Sequence, residues 1–277
     1  MPGRAGRRKE FPFLSAGILS FIFLGCLLFP LFIQTDPAYL DLAHANAAPS
    51  RAFPFGTDAL GRDLFAMIWH GGRISLWIGF AAAAVSTGIA LVWGSASGLA
   101  PAWADALLMR LTDILLSIPS LILVLFLQAL LGEPSALSLS LVIGLTGWAD
   151  MAKVIRTEAR QIRGSGYVTA SRCMGGGFFH ILWRHLTPNF ISSILFMVVM
   201  SIRSAMAAEA TLSFMGLGLP LETVSWGGML ALSERAFMTA SWWVLWIPGG
   251  FLTATLLCVT QLGNYLRGRL NQKQSNL

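Results

Sequence analysis

Six stretches of this chain are apolar over most of the length needed to cross a lipid bilayer. They cover residues 11–33, 74–100, 119–131, 136–151, 188–214 and 241–263. A helix rises about 1.5 Å per residue, so roughly 20 apolar residues traverse a hydrocarbon layer of about 30 Å. The third stretch is short, but it lengthens backwards through Ile114, Leu115 and Leu116. The first follows Arg4, Arg7, Arg8 and Lys9, as the core of a signal peptide would, and small residues suited to cleavage lie at Ala43, Ala45 and Ala47. Its apolar run exceeds the roughly 7–15 residues of a signal core, and those alanines lie far beyond its end, so an uncleaved first helix is expected. The pattern predicts an all-α polytopic membrane protein with six transmembrane helices and both termini on one side.

Two polar stretches are too long for turns. Residues 34–73 form an expected outer loop with Pro37, Pro49, Pro54 and the acids Asp36, Asp41, Asp58 and Asp63. Residues 157–187 form an expected inner loop, helical in its first half, broken at Gly175, Gly176 and Gly177, and helical again from Phe178 to Leu186. Pro188 suits the first turn of the span that follows, where a missing N–H costs nothing. A helix–glycine–helix joined to a span can either sit in a groove of a soluble partner or anchor the loop among headgroups.

Composition narrows the class. Only 12% of the 277 residues are charged, where a soluble domain carries about 25%. The net charge is +6, which raises nucleic acid as a partner. Placing the charges removes that reading. With the N-terminus in the cytoplasm, 14 of the 19 basic residues fall on inner segments and four (Arg51, Arg62, Arg73, Arg235) on outer ones, with Arg203 inside the fifth span. This asymmetry is the signature of membrane orientation, with both termini cytoplasmic, and not of a basic face for nucleic acid. Cys26, Cys173 and Cys258 are scattered, and the four histidines show no metal-binding spacing, so no metal site is expected. No G-x-x-x-x-G-K-[ST] phosphate loop occurs, so no nucleotide site of that kind is expected in this chain.

Three motifs carry a resemblance. The inner loop reads Thr169, Ala170, Ser171, then Gly175, and after nine further residues His185, Leu186, Thr187, Pro188 and Asn189. It resembles the EAA loop of bacterial ABC importer permeases, with Ala170, Gly175 and Pro188 at the family's spacing and Thr169 in place of the usual Glu. Gly56, Thr57, Asp58, Gly61, Arg62 and Asp63, followed by Gly71, Arg73, Ser75 and Leu76, resemble the G-T-D-x-x-G-R-D…G-x-R-x-S-L signature of the C-type permease of peptide, opine and nickel importers. Glu209, Ala210, Leu212, Ser213, Phe214, Gly216, Leu217 and Gly218, then Ser225, Trp226, Gly227 and Met229, resemble the same family's E-A-x-L-S-F-L-G-L-G…S-W-G-x-M-L block. Trp103, Asp105, Arg110 and Asp113 also fit it, and Gly263 to Arg267 match loosely.

The resemblance implies a type I ABC importer permease fold. Its partners would be a homologous B-type permease, two cytoplasmic ABC ATPase subunits, an extracytoplasmic solute-binding protein and the lipid bilayer of the bacterial cytoplasmic (inner) membrane. ATP and Mg would be bound by the ATPases and no cofactor by this chain. It further implies that residues 1–73 hold the first helix and outer loop, 74–267 the transport domain with a coupling loop at about 157–187, and 268–277 a cytoplasmic tail. Cargo would be di- or oligopeptides, the alternative being nickel or a metal chelate. Ala170, Gly175, Pro188 and Asn189 would then meet the ATPase, with Arg184 and His185 reaching its acidic groups. For Arg203 and Glu209, two readings stand: lining the pathway, or an interhelical salt bridge, although their spacing of six residues sets them about 240° apart on a helix. Arg62 and Asp63 either cap the outer ends of the spans or meet the binding protein at an outer gate. Trp226 is either part of a re-entrant segment beside the pathway or an interfacial anchor, and Trp242, Trp243 and Trp246 read as an aromatic belt.

Overall fold

The structure is a computed structural model and describes residues 11–32, 36–220, 222–236 and 240–274. Eleven α-helices are assigned among them. They are α1 (Phe13–Phe32), α2 (Leu64–Leu99), α3 (Ala102–Ser117), α4 (Ser120–Leu131), α5 (Ala136–Thr146), α6 (Ala149–Ile162), α7 (Gly166–Cys173), α8 (Phe178–Ile181), α9 (Thr187–Phe214), α10 (Trp226–Ala236) and α11 (Trp243–Gln274). A short 3₁₀ turn, Leu42–His44, lies in the first loop, and a π turn, Leu182–Leu186, joins α8 to α9.

Four helices (α1, α2, α9 and α11) are singly long and apolar enough to cross a membrane, and the count reaches six if the bent pairs α3–α4 and α5–α6 each make one span. The bends have local causes. Pro119 disfavours helical backbone in the residue before it, and Ile118 is extended at φ −92°, ψ 129°. The chain turns by 90° there. The backward extension of the third span through Ile114 is therefore not a straight continuation. In the fourth, Gly147 ends α5, and α6 leaves at 46°.

Helix α2 begins ten residues before the expected span. Residues 64–73, read from sequence as loop, form its first turns, because Asp63 caps the helix and Leu64, Met67 and Ile68 bury against the core. A boundary at residue 73 thus falls inside a helix. At the other end, α11 continues without a break past Arg267 to Gln274, where a separate tail was expected.

Helix α2 is the common wall of three apolar clusters. At one end Leu64, Ile68 and Trp69 meet Ile22 and Cys26 of α1, Trp226 of α10 and Trp243 of α11. In the middle Ile78 and Ala82 meet Val124, Leu139 and Val142 of α4 and α5. At the other end Ala90 meets Ala152, Ile155 and Ala159 of α6, then Val168, Ile181 and Leu186. Helices α2 and α6 touch through small residues. A Cβ at Gly94 would lie 2.5 Å from the Ala152 carbonyl oxygen, and one at Gly98 would lie 2.5 Å from the Ala159 Cβ. In a bilayer, where apolar burial alone gives little preference between helix and lipid, such close backbone approach supplies the packing energy.

Candidate functional site

Three motif segments, 56–63, 71–76 and 209–229, converge. Asp58 is the hub of the first: its Oδ1 accepts from the backbone N–H groups of Leu60 and Arg62, both at 2.9 Å, and its Oδ2 accepts from Arg62 Nε at 2.8 Å. Arg62 is 4% exposed, so this ion pair lies inside the protein. Thr57 Oγ1 donates to the His44 carbonyl at 2.5 Å and accepts from Ala47 N–H at 2.8 Å. Gly61 sits at φ +75°, and a Cβ there would lie 1.7 Å from the Asp41 carbonyl oxygen. Only glycine fits that position. Asp63 accepts from Phe65 N–H at 2.9 Å as the N-cap of α2, and burial raises its carboxyl above the usual range. Asp41, hydrogen-bonded to His44 at 2.7 Å, is held below that range. Arg62 and Asp63 thus stand in the turn that leads into α2, and the hydrogen bonds they make are within this chain.

The second and third segments meet at Glu209, which is fully buried. Its Oε2 accepts from Ser75 Oγ of α2 at 3.1 Å, and its Oε1 accepts from Ser213 of α9 at 3.0 Å and from Ser225, just ahead of α10, at 2.7 Å. A buried carboxyl group is costly without hydrogen-bond partners, and the three serine hydroxyls supply them. Ser75 Oγ also accepts from the Trp226 backbone N–H at 3.2 Å, and the Trp226 indole donates to the Ile68 carbonyl at 2.9 Å. Serines 75, 213 and 225 thus join Glu209 in tying α2, α9 and α10 together.

Several expectations change here. In keeping with their spacing of six residues, no ion pair joins Arg203 to Glu209 among the described residues; Glu209 is held by serines rather than by an interhelical salt bridge, and the buried Arg203 Nε has no hydrogen-bond partner among them. Trp226 is completely buried, which removes the interfacial-anchor reading, and α10 at 11 residues is too short to cross a bilayer. Trp243 leaves the proposed aromatic belt: it is 8% exposed and donates to the Thr57 carbonyl at 3.0 Å, while Trp242 and Trp246 remain outside. Beside this assembly lies a cavity of about 670 Å³, lined by Arg62, Glu133, Ser213, Glu222, Thr223 and Met229 among others.

The inner motif is built differently. Val168 and Ser171 of α7 are buried, and Val168 packs into the cluster formed with α6. The other face is open. Thr169, Ala170 and Cys173 are exposed, as are Tyr167 and Met174, the latter at 81%. Gly175 follows at φ +83° with nothing near its α-carbon, so its requirement is conformational alone. Gly176 N–H bonds to the Ser171 carbonyl at 2.8 Å, the closing bond of a Schellman cap. Beyond it, Ile181, Leu182 and Leu186 turn inward while Phe179, Trp183 and Arg184 face out. The side chains of His185, Pro188 and Asn189 lie outside the described residues. Their backbones belong to the π turn and the start of α9. Pro188 therefore does not sit at a free helix end. It cannot donate to the carbonyl four residues back, and the helix passes that place through a widened turn. From residue 178 to 214 the chain is helical without interruption.

A charged network not anticipated as such supports this segment. Arg156 of α6 holds Asp105 of α3 through two bonds of 2.5 and 2.6 Å, and Arg160 adds a contact of 3.0 Å. Ser97 of α2 donates to the same carboxylate at 2.5 Å, and Lys153 meets Asp113 at 2.8 Å. The signal was present: Lys153, Arg156, Arg160 and Arg163 recur every three or four residues and so share one helix face.

Residues 88–272 match the protein family described as "Binding-protein-dependent transport system inner membrane component". The chain is 37% identical over 256 residues to the oligopeptide transport system permease protein OppC of Bacillus subtilis, covering 92% of this chain and 83% of that one. It is 33% identical to the dipeptide transport system permease protein DppC of the same organism, covering 92% and 80%. Its identity to the di/tripeptide transport system permease protein DppC of Pseudomonas aeruginosa is 34%, covering 88% and 78%. The chain belongs to the family of inner membrane permease components of binding-protein-dependent transport systems.

Proposed function

We propose that this chain is the C-type permease of an ATP-driven importer of di- and oligopeptides. It pairs with a B-type permease, receives cargo from an extracytoplasmic solute-binding protein and takes its energy from two separate ATPases, which hold the ATP and Mg. Both termini are cytoplasmic, which puts α7, α8 and the Asp105–Arg156 network on the ATPase side and the Asp58 and Glu209 assemblies on the opposite side. Peptides are favoured because the relatives described above are named for oligopeptide, dipeptide and di/tripeptide transport. Nickel or a metal chelate has no comparable support.

The observation that carries the mechanism is continuity. An exposed face on α7 and α8 leads through the π turn into α9, and α9 carries Glu209 near its far end. Thirty-seven helical residues, 178–214, make a rod of about 55 Å. When ATP closes the ATPase dimer, a docked α7–α8 segment moves with it, and α9 conveys that movement towards the serine-held carboxyl. The permease then exchanges inward- and outward-facing states, and the free energy comes from the partner. The test is uptake of labelled dipeptide and of labelled nickel in cells with and without this chain. Loss of dipeptide uptake is expected. Loss of nickel uptake alone overturns the cargo assignment.

A further inference from the structure

A second cavity, distinct from the outer one, opens between α1, α2, α9 and α11. It measures about 420 Å³ and is lined almost wholly by apolar side chains, including Leu19, Phe23, Phe80, Ile202, Leu262 and Tyr265. Phe23 and Phe80 form one wall, with ring centroids 6.2 Å apart and edge to face. Both rings are largely exposed in this chain, at 42% and 47%. The groove therefore lies at membrane depth and reaches the surface of the bundle.

Its end near Phe11 and Tyr265 is not apolar. These two rings meet edge to face at 5.2 Å. The Arg269 guanidinium lies over the Tyr265 ring at 5.3 Å, and Arg267 lies over Phe196, one turn from the groove-lining Val199, also at 5.3 Å. A guanidinium on an aromatic face is positioned by the ring while its N–H groups stay available in the plane. An apolar slot inside the bilayer with a fixed cation at the headgroup end has the chemistry of a phospholipid site.

We propose that this groove binds one acyl chain of an anionic glycerophospholipid, with the lipid phosphate held by Arg269, whose guanidinium lies over the groove-lining Tyr265. Packing retains the chain, since lipid tails and helices are equally apolar. Charge selects the headgroup, because basic residues near the surface favour anionic lipid. The proposal needs the membrane placement of these helices but not the peptide-transport reading, so the two fail separately.

The full chain would be purified in detergent together with the subunits that accompany it. It would then be exchanged into phosphatidylcholine micelles doped with phosphatidylglycerol or cardiolipin, and retained lipid counted by native mass spectrometry. Wild type is expected to keep anionic lipid. The variant Arg269→Gln is expected to lose about fivefold in retention. Leu262→Trp, which fills the slot and leaves Arg269 in place, is expected to lose it as well. Equal retention in all three proteins overturns the proposal. So does loss in the arginine variant alone, which would mean headgroup adsorption without a seated chain. A photoreactive group near the tail of a phosphatidylglycerol gives an independent reading: labelling should fall on peptides containing Leu19, Ile202 and Leu262. Labelling elsewhere, or its disappearance when the second permease is present, would assign the groove to another occupant and end the lipid reading.

Discussion

The outer assembly and the inner segment were both recognised through family motifs, yet their residues face opposite ways. In the outer assembly, Thr57, Asp58, Arg62, Glu209, Ser225 and Trp226 are all buried and bonded within this chain. In the inner segment, Ala170, Gly175 and Arg184 are exposed, beside Met174, Phe179 and Trp183. The first motif specifies how one chain folds. The second leaves side chains open for a partner. A motif alone does not distinguish these cases; burial does. The difference implies separable effects of mutation: outer substitutions should lower stability, and inner ones should lower transport with stability nearly intact.

The largest effect is expected at Gly61. Gly61→Val forces a side chain into the Asp41 backbone and into a left-handed conformation, and should cost about 4 kcal/mol or more. Thermal unfolding of the purified protein would register it; an unchanged melting temperature would break the claim that the outer motif is structural. Glu209→Ala comes next. It leaves three serine hydroxyls buried without their acceptor, at about 2–3 kcal/mol, whereas Glu209→Gln keeps an acceptor and should lose less. Equal losses in the two variants would mean that the cage matters only as volume.

On the inner side, Gly175→Val strains a positive φ in open space and should cost about 1–2 kcal/mol. Membrane insertion should survive while ATP hydrolysis no longer drives uptake; normal uptake in vesicles would remove the docking role. Ala170→Trp is predicted to have the smallest effect on stability, within roughly 0.5 kcal/mol, as for exposed sites generally. It should nonetheless abolish co-purification with the ATPase. If Ala170→Trp unfolded the protein instead, the distinction between the two regions would collapse.

Much of the fold was legible because apolar run length is a one-dimensional signal. The fifth span, expected from Pro188, is α9 from Thr187, and the helix–glycine–helix loop was also readable. Less legible was anything set by contacts across the chain. The start of α2 was hidden because Gly71 and Gly72 look like turn residues, yet Gly72 is small because Cys26 and Trp226 press against it. The spacing of six residues sets Arg203 and Glu209 apart on one helix but does not say what Glu209 meets instead. The actual partners, Ser75 and Ser225, lie 134 and 16 residues away in sequence. The three serines stand in the motifs quoted above, but nothing along the chain shows that they converge on one carboxyl group.

The length of α2 has a mechanical consequence. At 36 residues it is about 54 Å long against a hydrocarbon layer of about 30 Å. One tip is fixed to the Asp58 loop through its cap, and the other lies against Asp105 and α6. A stiff mast gripped at both tips behaves as a lever. A tilt of roughly 10° about its middle would carry the two ends about 5 Å in opposite directions. The Asp58 loop and the Asp105 network would then move as a single body, with no signal passed from residue to residue between them.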